Sequence, residues 1–444
     1  MKKTSMHHPG KILVLSIIAT IVTGTLLLAL PVARHVPMSF MDLLFTATST
    51  TTVCGLFTVP IDKFTTFGHV IIFFLMQIGG LGLITMTLFF MSLFTKLGLK
   101  TQLIAGKLLE IERMTDIKDL LIFICALSLI VETIGAFCVF FTIKEQYDTV
   151  PAIFLSIFHS VSAFCNAGIT LFPHGMQGYS NHPVFLMVTA ILILFGSLGF
   201  VPWYEIVKYL GIVKFKESQR SLSLHSKIVL TISAIFILFA TGLFWLLESH
   251  NTLANQGVVL SIINAFFNAT SIRSTGFLSV PFAELQMATV FIIMIFSFIG
   301  SSSGSTGSGI KTTTFALLLF TAKSLLMSRK EVEIKGRRIP HETVYRASAT
   351  VFLAVALIIF TIFLLLISEH NWSFLDIAFE SIASFANLGI TTGITAFLSF
   401  FGKIMIMITM VAGRIGTLTL ALAVVSIHDK KKDYTYPEGK VLIS

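Results

Sequence analysis

Four glycines recur at nearly equal spacing along this chain of 444 residues, and each sits in the same local pattern. They are Gly55, Gly168, Gly276 and Gly389, which lie 113, 108 and 113 residues apart. A phenylalanine precedes each glycine by ten residues, and an aliphatic or aromatic residue follows each one directly. A fixed period with fixed internal spacing marks an internal repeat, so the chain is predicted to consist of four related units.

The chemistry that such glycines could perform is coordination of a cation by backbone carbonyl oxygens. A dehydrated cation needs oxygens that replace its hydration shell, and an extended turn supplies them if its carbonyls face one axis. That conformation needs unusual backbone angles and no Cβ near the axis, which glycine provides at low cost. The turns are Thr52-Val53-Cys54-Gly55, Cys165-Asn166-Ala167-Gly168, Arg273-Ser274-Thr275-Gly276 and Ala386-Asn387-Leu388-Gly389.

The side chains before the four glycines differ from unit to unit. A ring that coordinates through carbonyls tolerates such differences, whereas a filter formed by side chains would not. We therefore predict carbonyl coordination, with selectivity less stringent than in a channel of four identical subunits. A packing role would explain any one of these glycines, but it does not explain four glycines with matched phenylalanines.

The composition places the turns in a membrane protein. Apolar residues make up 55% of the chain and charged residues 12%, with a mean hydropathy of +0.90, whereas a soluble domain carries about 25% charged residues. Eight apolar segments are long enough to cross a bilayer: 11–31, 66–95, 118–143, 184–210, 226–248, 286–326 (interrupted), 342–369 and 399–427. Between the members of each pair lies a shorter segment that is predicted to be a re-entrant helix shielded by protein: 38–50, 149–163, 257–271 and 373–385.

Positive charge gives the predicted orientation. Of the 31 Lys and Arg residues, 24 lie on one predicted side, which the positive-inside rule makes cytoplasmic. Both termini are then cytoplasmic, and all four re-entrant helices enter from outside. Each helix directs its C-terminal end, equivalent to roughly half a negative charge, towards the axis, which favours cations. The net charge of +9 is interpreted as orientation and contact with lipid headgroups rather than nucleic-acid binding.

These features resemble the Trk/Ktr/HKT potassium transporter superfamily. The resemblance rests on the fourfold span, pore helix and span, on one glycine per turn, and on Gly413-Arg414-Ile415-Gly416 in the last span, and it covers residues 8–444. Eight spans without extra N-terminal helices resemble the Ktr-type membrane subunit, of the KtrB/KtrD kind. The resemblance implies a homodimer in the plasma membrane with one K⁺ pore per protomer, controlled by a separate cytosolic nucleotide-binding ring of the KtrA/KtrC kind. Serine in place of the first filter glycine accompanies sodium preference in this superfamily, so Gly55 favours potassium.

A run of small polar residues interrupts the sixth predicted span. Glycine lowers helix stability by about 1 kcal/mol relative to alanine, and unwound backbone at membrane depth must line a cavity. The resemblance implies an intramembrane gating loop at this place. Its residues are Gly300, Ser301, Ser302, Ser303, Gly304, Ser305, Thr306, Gly307, Ser308, Gly309 and Lys311. The nearby likeness to a phosphate-binding loop is rejected, because no strand precedes it and both flanks are apolar spans.

Charged residues inside apolar segments call for a stated role. Arg414 is either an electrostatic barrier that cooperates with the loop or a structural ion-pair member, since charges at this depth face a cavity or a partner. Arg273 is expected to point behind its turn and to bond carbonyls or an acid, with Glu380 as the candidate partner. Glu132 is assigned a structural partner rather than a proton relay.

The predicted fold class is an all-α polytopic membrane protein of four tandem repeats around a cation pore. The units are A (1–97), B (98–212), C (213–330, with the gating loop) and D (331–428), followed by a tail, 429–444. Gated potassium uptake is the predicted function, and a Na⁺- or H⁺-coupled secondary transporter is the alternative. An enzyme is not expected, because the histidines do not cluster with nucleophiles. No cofactor is predicted: K⁺ is the transported ion, bound only at the filter, and Na⁺ is a candidate activator.

Overall fold

A computed structural model of the chain describes residues 9–82, 117–211, 221–329 and 331–424. These ranges form fifteen α-helices and one short hairpin, β1 (Glu333–Ile334) with β2 (Arg337–Arg338). The helices are α1 (Pro9–Leu28), α2 (Phe40–Thr52), α3 (Thr66–Leu81), α4 (Ile117–Ile143), α5 (Thr149–Phe164), α6 (Pro183–Ser197), α7 (Phe200–Tyr209), α8 (Leu224–Glu248), α9 (Val258–Ser271), α10 (Met287–Phe298), α11 (Thr312–Leu326), α12 (His341–Ser368), α13 (Phe374–Ala386), α14 (Phe400–Ile415) and α15 (Thr417–Val424).

A helix forms in each of the four short segments, within two residues of the predicted bounds. These short helices are α2, α5, α9 and α13. Serine caps begin two of them: the Ser39 side chain accepts from the Asp42 amide, and Ser373 forms a reciprocal capping box with Asp376. Such caps satisfy amides that have no partner within the helix. Two of the short helices, α5 and α9, end one or two residues before the glycine turn of their unit begins. The other two, α2 and α13, end at the first residue of that turn.

Among the described residues, four helices are long and apolar enough to cross a bilayer: α1, α4, α8 and α12. Two further pairs would each make one span but are bent, α6 with α7 by 96° and α14 with α15 by 102°. The prediction of spans over 184–210 and 399–427 did not include these bends. The bends lie at Gly199 and Gly416, both with φ +92°, a conformation that ends a right-handed helix and that glycine adopts readily.

The second helices of the other two units are also incomplete. In unit C the predicted interruption is present, because α10 ends at Phe298 and α11 begins at Thr312. In unit A, α3 ends at Leu81, and the remainder of the predicted span 66–95 lies outside the described residues. The basic segment near 96–116 and the tail 429–444 lie outside them as well.

The four units close into a ring by one repeated contact. The second helix of each unit packs against the short helix of the next: α3 on α5, α6 on α9, α10 on α13, and α14 back on α2. Large apolar side chains project outward from the long helices, for example Phe137, Leu238 and Phe352, each more than 60% exposed. An apolar exterior around a polar interior is the arrangement that a bilayer requires.

Candidate functional site

The four glycine turns meet at one place in the centre of the ring. A Cβ built on Gly55, Gly168 or Gly276 would lie 3.2, 3.7 or 2.9 Å from the Cα of Gly389. The Gly389 amide also donates to the carbonyl of Thr275 at 3.3 Å. Residues more than 100 positions apart in the chain are thus in contact, and a side chain on any of the first three glycines would enter a neighbouring turn.

Backbone angles in the turns are unusual at two positions. Gly55, Gly168 and Gly276 have φ of +86°, +65° and +87°, whereas Gly389 does not share this conformation. Two residues before three of the glycines, Val53, Asn166 and Asn387 have φ of +60°, +59° and +52°. A valine in this region is uncommon, so tertiary contacts must hold the turn of unit A in place.

The residues that recur with the glycines are core residues. The phenylalanines ten positions before are buried at Phe45, Phe158 and Phe379, and Phe266 is half-buried. The residues that follow the glycines are all less than 5% exposed: Leu56, Ile169, Phe277 and Ile390. The repeated pattern therefore anchors each short helix and turn in the protein interior, which fixes the position of the turn.

Polar side chains of the turns bond other parts of the protein. The Asn166 side chain accepts from Ser274 Oγ and Thr275 Oγ1, both at 2.7 Å, and its Nδ2 donates to Thr306 Oγ1 at 2.6 Å. Asn387 Nδ2 donates to the Met410 carbonyl at 3.2 Å. These side chains brace the turns against one another and against the second helices.

The Gly/Ser segment lies directly against the turns and the bend of unit B. Its backbone is held by amide bonds to neighbouring helix ends, Ser302 to the Ser197 carbonyl and Thr306 to the Gly196 carbonyl, both at 3.1 Å. Lys311 closes the segment on itself, since its Nζ donates to the Gly307 carbonyl at 2.8 Å. Residues 299–311 are without regular helix, yet many of their polar groups are bonded, so the segment has a defined fold.

Arg414 connects the Gly/Ser segment to unit A. Its Nη1 donates to the Thr306 carbonyl, and its Nη2 donates to the carbonyls of Gly79 and Gly80. None of these partners is a carboxylate, and no ion pair of Arg414 occurs within the described part of the chain. The guanidinium thus bridges three units, A, C and D.

Arg273 bonds carbonyl and hydroxyl oxygens behind its turn, as expected, but the predicted pairing with Glu380 is wrong. Arg273 is 2% exposed, and it donates to the Gly300 carbonyl at 3.3 Å and to Ser233 and Thr312. Glu380 instead accepts from the hydroxyls of Thr391 and Thr395. The two residues lie in different units, and each finds its partners in the segment nearest to its own helix.

Glu132 has the structural partner that the sequence could not name. Both of its carboxylate oxygens accept from Gln77 Nε2 at 3.0 Å, and Gln77 Oε1 accepts from Cys165 Sγ at 3.4 Å. A carboxylate of unit B, an amide of unit A and a turn residue thus form one chain of contacts. Gln77 carried no sequence signal beyond a polar residue in an apolar span.

Two further features of the site were missed. Asp42, near the N-terminus of α2, pairs with Lys403 in α14 at 2.8 Å across the A–D junction, with both side chains less than 20% exposed. A Gly-x-x-Gly spacing also marks a break in the second helix of three units: Gly79 to Gly82, Gly196 to Gly199, and Gly413 to Gly416. The first glycine of each pair abuts the C-terminal end of its own unit's short helix, and the second has φ above +80°.

Comparison with known proteins gives consistent results. The family model for TrkH, described as a cation transport protein, matches residues 2–436. The chain is 33% identical over 437 residues to the Ktr system potassium uptake protein B of Bacillus subtilis, covering 98% of this chain and 96% of the relative. It is 34% identical to the protein of the same name from Vibrio alginolyticus, covering 97% and 94%. It is 30% identical to the potassium/sodium uptake protein NtpJ of Enterococcus hirae, covering 98% and 97%.

A solved structure shares the fold. The potassium transporter TrkH from Vibrio parahaemolyticus superposes with a TM-score of 0.74 over 96% of this chain and 87% of that one, at 19% identity.

Proposed function

The chain belongs to the TrkH family of cation transport proteins, and we propose that it takes up potassium through a pore at the centre of its four units. The observation that carries the proposal is the meeting of the four glycine turns at Gly389, in a ring of units that the second helices close. A site of this kind offers backbone oxygens from four sides, which is the coordination that a dehydrated K⁺ requires. The names of the three relatives, which take up potassium, support the same ion.

Ion movement follows from the geometry of the four short helices. Potassium enters from the outer side, exchanges its water for the carbonyls of the turns, and moves inward with the membrane potential, which contributes about 2.3 kcal/mol per charge per 100 mV. The C-terminal ends of α2, α5, α9 and α13 lie beside the turns. Their partial negative charges, about half an elementary charge each, favour a cation at the centre and disfavour an anion.

The Gly/Ser loop, residues 300–311, is the proposed gate, and Arg414 is proposed to hold it closed. The loop lies just beyond the turns, and Arg414 of the neighbouring unit D bonds the Thr306 carbonyl of the loop. A guanidinium there also opposes a cation electrostatically. The pathway opens when the loop and this arginine move apart.

The proposed arrangement in the membrane has eight spans and four re-entrant helices, with both termini on the cytoplasmic side. Long apolar helices alternate along the chain with the short helices, and the second helices of units B and D are bent rather than absent. The hairpin after α11 is rich in basic residues, which suits a cytoplasmic face. The plasma membrane is the proposed location.

A soluble partner and a second copy of the chain complete the proposed system. The relatives are named as protein B of a Ktr system, which implies other subunits. We propose a cytosolic nucleotide-binding ring that acts on the loop through α11, together with a homodimer of the membrane subunit. Exposed Leu325 and Leu326 at the end of α11, 70% and 88% exposed, are suited to such contacts.

A Na⁺- or H⁺-coupled transporter is the second candidate. Glu132 favours it, because this carboxylate is 6% exposed in α4 and reaches a turn residue through Gln77. The name of the Enterococcus relative includes sodium. A coupled transporter would accelerate ⁸⁶Rb⁺ uptake when an inward Na⁺ or H⁺ gradient is imposed at fixed membrane potential, and a pore would not. Sodium acting as an activator would accelerate uptake without a gradient.

The proposal is tested by ⁸⁶Rb⁺ uptake into proteoliposomes that contain this chain. Uptake driven by an inside-negative potential, blocked by external K⁺ and only weakly by Na⁺, is the expected result. Equal block by both ions would contradict a potassium-selective ring. The same assay with the cytosolic partner present measures how far the closed loop limits the basal rate.

A further inference from the structure

We propose that the side chain of Asn166 couples the position of the Gly/Ser loop to the shape of the carbonyl ring, so that ion selectivity depends on loop closure. This inference rests on the function proposed above, because it takes the four turns as the filter and the loop as the gate. It adds that the two are mechanically joined through one carboxamide. Asn166 is a positioning residue here, since it acts on the ring through its neighbours.

The Asn166 carboxamide uses all of its hydrogen-bonding capacity between turn and loop. Its Oδ1 accepts from Ser274 Oγ and Thr275 Oγ1, and its Nδ2 donates to Thr306 Oγ1 at 2.6 Å and to the Phe164 carbonyl at 3.2 Å. A carbonyl can only accept, so the Phe164 contact fixes which end of the amide is the nitrogen. The residue is 1% exposed while the loop is in place.

Asn166, in the turn of unit B, joins the turn of unit C to the loop. Ser274 and Thr275 precede Gly276 in unit C, and the Thr275 carbonyl accepts from the Gly389 amide at 3.3 Å. Any displacement of Thr275 is therefore transmitted to the place where the four glycines meet. Thr306 lies in the loop, where the Arg414 guanidinium bonds its carbonyl.

Withdrawal of the loop would leave the Asn166 amide with a buried donor that has lost its acceptor. An unmade hydrogen bond in a dry interior is costly, so the amide must rotate or its turn must shift. Either change takes Oδ1 away from Ser274 and Thr275. The base of the loop stays attached through Arg273, which donates to the Gly300 carbonyl. The Asn166 contact therefore depends on the position of the middle of the loop.

The repeat supplies a matched control for this residue. Asn387 occupies the same position in unit D, two residues before the glycine, with a similar φ of +52°. Its Nδ2 bonds the Met410 carbonyl in α14 rather than the loop. Val53 holds this position in unit A at φ +60°, so valine is compatible with the backbone of the turn. Asn166→Val and Asn387→Val thus impose the same local change, and only the first removes the link to the loop.

The test measures the ratio of Na⁺ to K⁺ concentrations that half-block ⁸⁶Rb⁺ uptake in proteoliposomes. Thr306→Val and Asn166→Val should each lower this ratio by about fivefold, the equivalent of one hydrogen bond, and the double variant should lower it no further. Thr306→Ser, which keeps the hydroxyl, should retain the parental ratio. Asn387→Val combined with Thr306→Val should give the product of the two single effects.

Three results would overturn the coupling. A Thr306→Val variant with faster uptake and an unchanged ratio would leave a pore and a gate that are independent. Multiplying effects of Asn166→Val and Thr306→Val would show that the two residues act separately. Equal block of the parent by Na⁺ and K⁺ would remove both the coupling and the function on which it rests.

A second measurement needs no transport and covers a variant that folds poorly. Thermal unfolding of the purified parent should be shifted upward by K⁺ more than by Na⁺, since an ion that binds only the folded state stabilises it. Thr306→Val should lose this difference and Thr306→Ser should keep it. Equal behaviour of these two variants, of which only Thr306→Ser keeps the hydroxyl, would contradict the proposal even if Asn166→Val cannot be purified.

Discussion

At the residue scale, the polar side chains of the turns act as braces. Asn387 bonds a carbonyl of α14, and Arg273 bonds a carbonyl at the start of the loop. Neither a donating amide nitrogen nor a guanidinium can coordinate a cation, and we propose the backbone oxygens as the ligands. This division of labour explains how the four units can differ in sequence around the glycines and still contribute to one ring.

The pair between Asp42 and Lys403 is predicted to lock the ring at the junction of units A and D. Lys403→Met should lower the free energy of unfolding by about 2 kcal/mol, because a charged hydrogen bond is lost and Asp42 remains half-buried. Thermal or denaturant unfolding of the purified protein measures this loss. Asp42→Asn combined with Lys403→Met should recover part of it, since no unpaired charge is left.

The same pair should depend on pH in a defined direction. Burial acts to raise the pKa of the Asp42 carboxyl, but hydrogen bonds from Lys403, Ser39 and Thr58 outweigh it and hold the pKa below the usual range of an aspartic acid. A carboxyl whose pKa is lowered by folding stabilises the fold at pH values above its unfolded-state pKa. This stabilisation is lost as the pH falls through the folded-state pKa. The Asp42–Lys403 coupling in a double-mutant cycle should therefore persist from pH 5 to 7 and disappear only below about pH 4. A coupling already absent at pH 5 would be inconsistent with this pair.

At the scale of helices, the Gly-x-x-Gly pairs lie where the second helices end or bend, and their first glycines allow close packing. A Cβ at Gly413 would lie 2.8 Å from the carbonyl carbon of Phe385 and closer still to its oxygen. The helix end and the second helix can pack this closely only because the side chain is absent. The same contact recurs at Gly79 with Thr51 and at Gly196 with Phe164.

Gly413→Ala is therefore predicted to destabilise the protein by about 1–3 kcal/mol, the usual cost of overpacking. Gly242→Ala is the matched control, because Gly242 lies within α8 and no atom stands within 4 Å of a Cβ there. The control should leave the unfolding temperature unchanged or raise it, since alanine favours helix. Similar unfolding temperatures for the two variants would contradict the close packing at Gly413.

Removal of residues 303–306 from the loop is predicted to raise ⁸⁶Rb⁺ uptake without a partner by at least about tenfold. The deletion removes Thr306 and its bonds to Gly196, Asn166 and Arg414, each worth about 1 kcal/mol. Ser305→Ala is the control, because Ser305 Oγ bonds only Ser301 and Ser302 within the loop. Uptake of the shortened protein equal to that of the parent would argue against a gate at this place.

At the scale of the whole molecule, the repeat and its turns were predictable because they recur. Four glycines with matched phenylalanines identify the repeat even where local structure is ambiguous. The four short helices follow from segments that are too short to span and too apolar to be exposed. The partners of Arg273, Glu132 and Asp42 were not predictable. Glu132 and Asp42 pair with residues of other units, up to 361 positions away. Arg273 bonds a carbonyl and two hydroxyls of its own unit, and a single sequence carries no signal for any of these contacts.

The bends at Gly199 and Gly416 could have been predicted and were not. Hydropathy stays high through both positions, so each segment resembles one continuous span. The change of direction leaves no trace in the hydropathy. The repeated Gly-x-x-Gly spacing was the available signal. Only the break of unit C, with its long run of small polar residues, was obvious from composition.

The central claim is that the four glycine turns form one potassium-coordinating ring. It is tested most directly by comparing Na⁺ and K⁺ block of ⁸⁶Rb⁺ uptake in Gly55→Ser and Gly393→Ser proteoliposomes. Both glycines have positive φ, but Gly55 touches the other turns, whereas nothing lies within 4 Å of a Cβ at Gly393. The account predicts that Gly55→Ser loses most of the preference for K⁺ while Gly393→Ser keeps it. An unchanged preference in Gly55→Ser would contradict the ring.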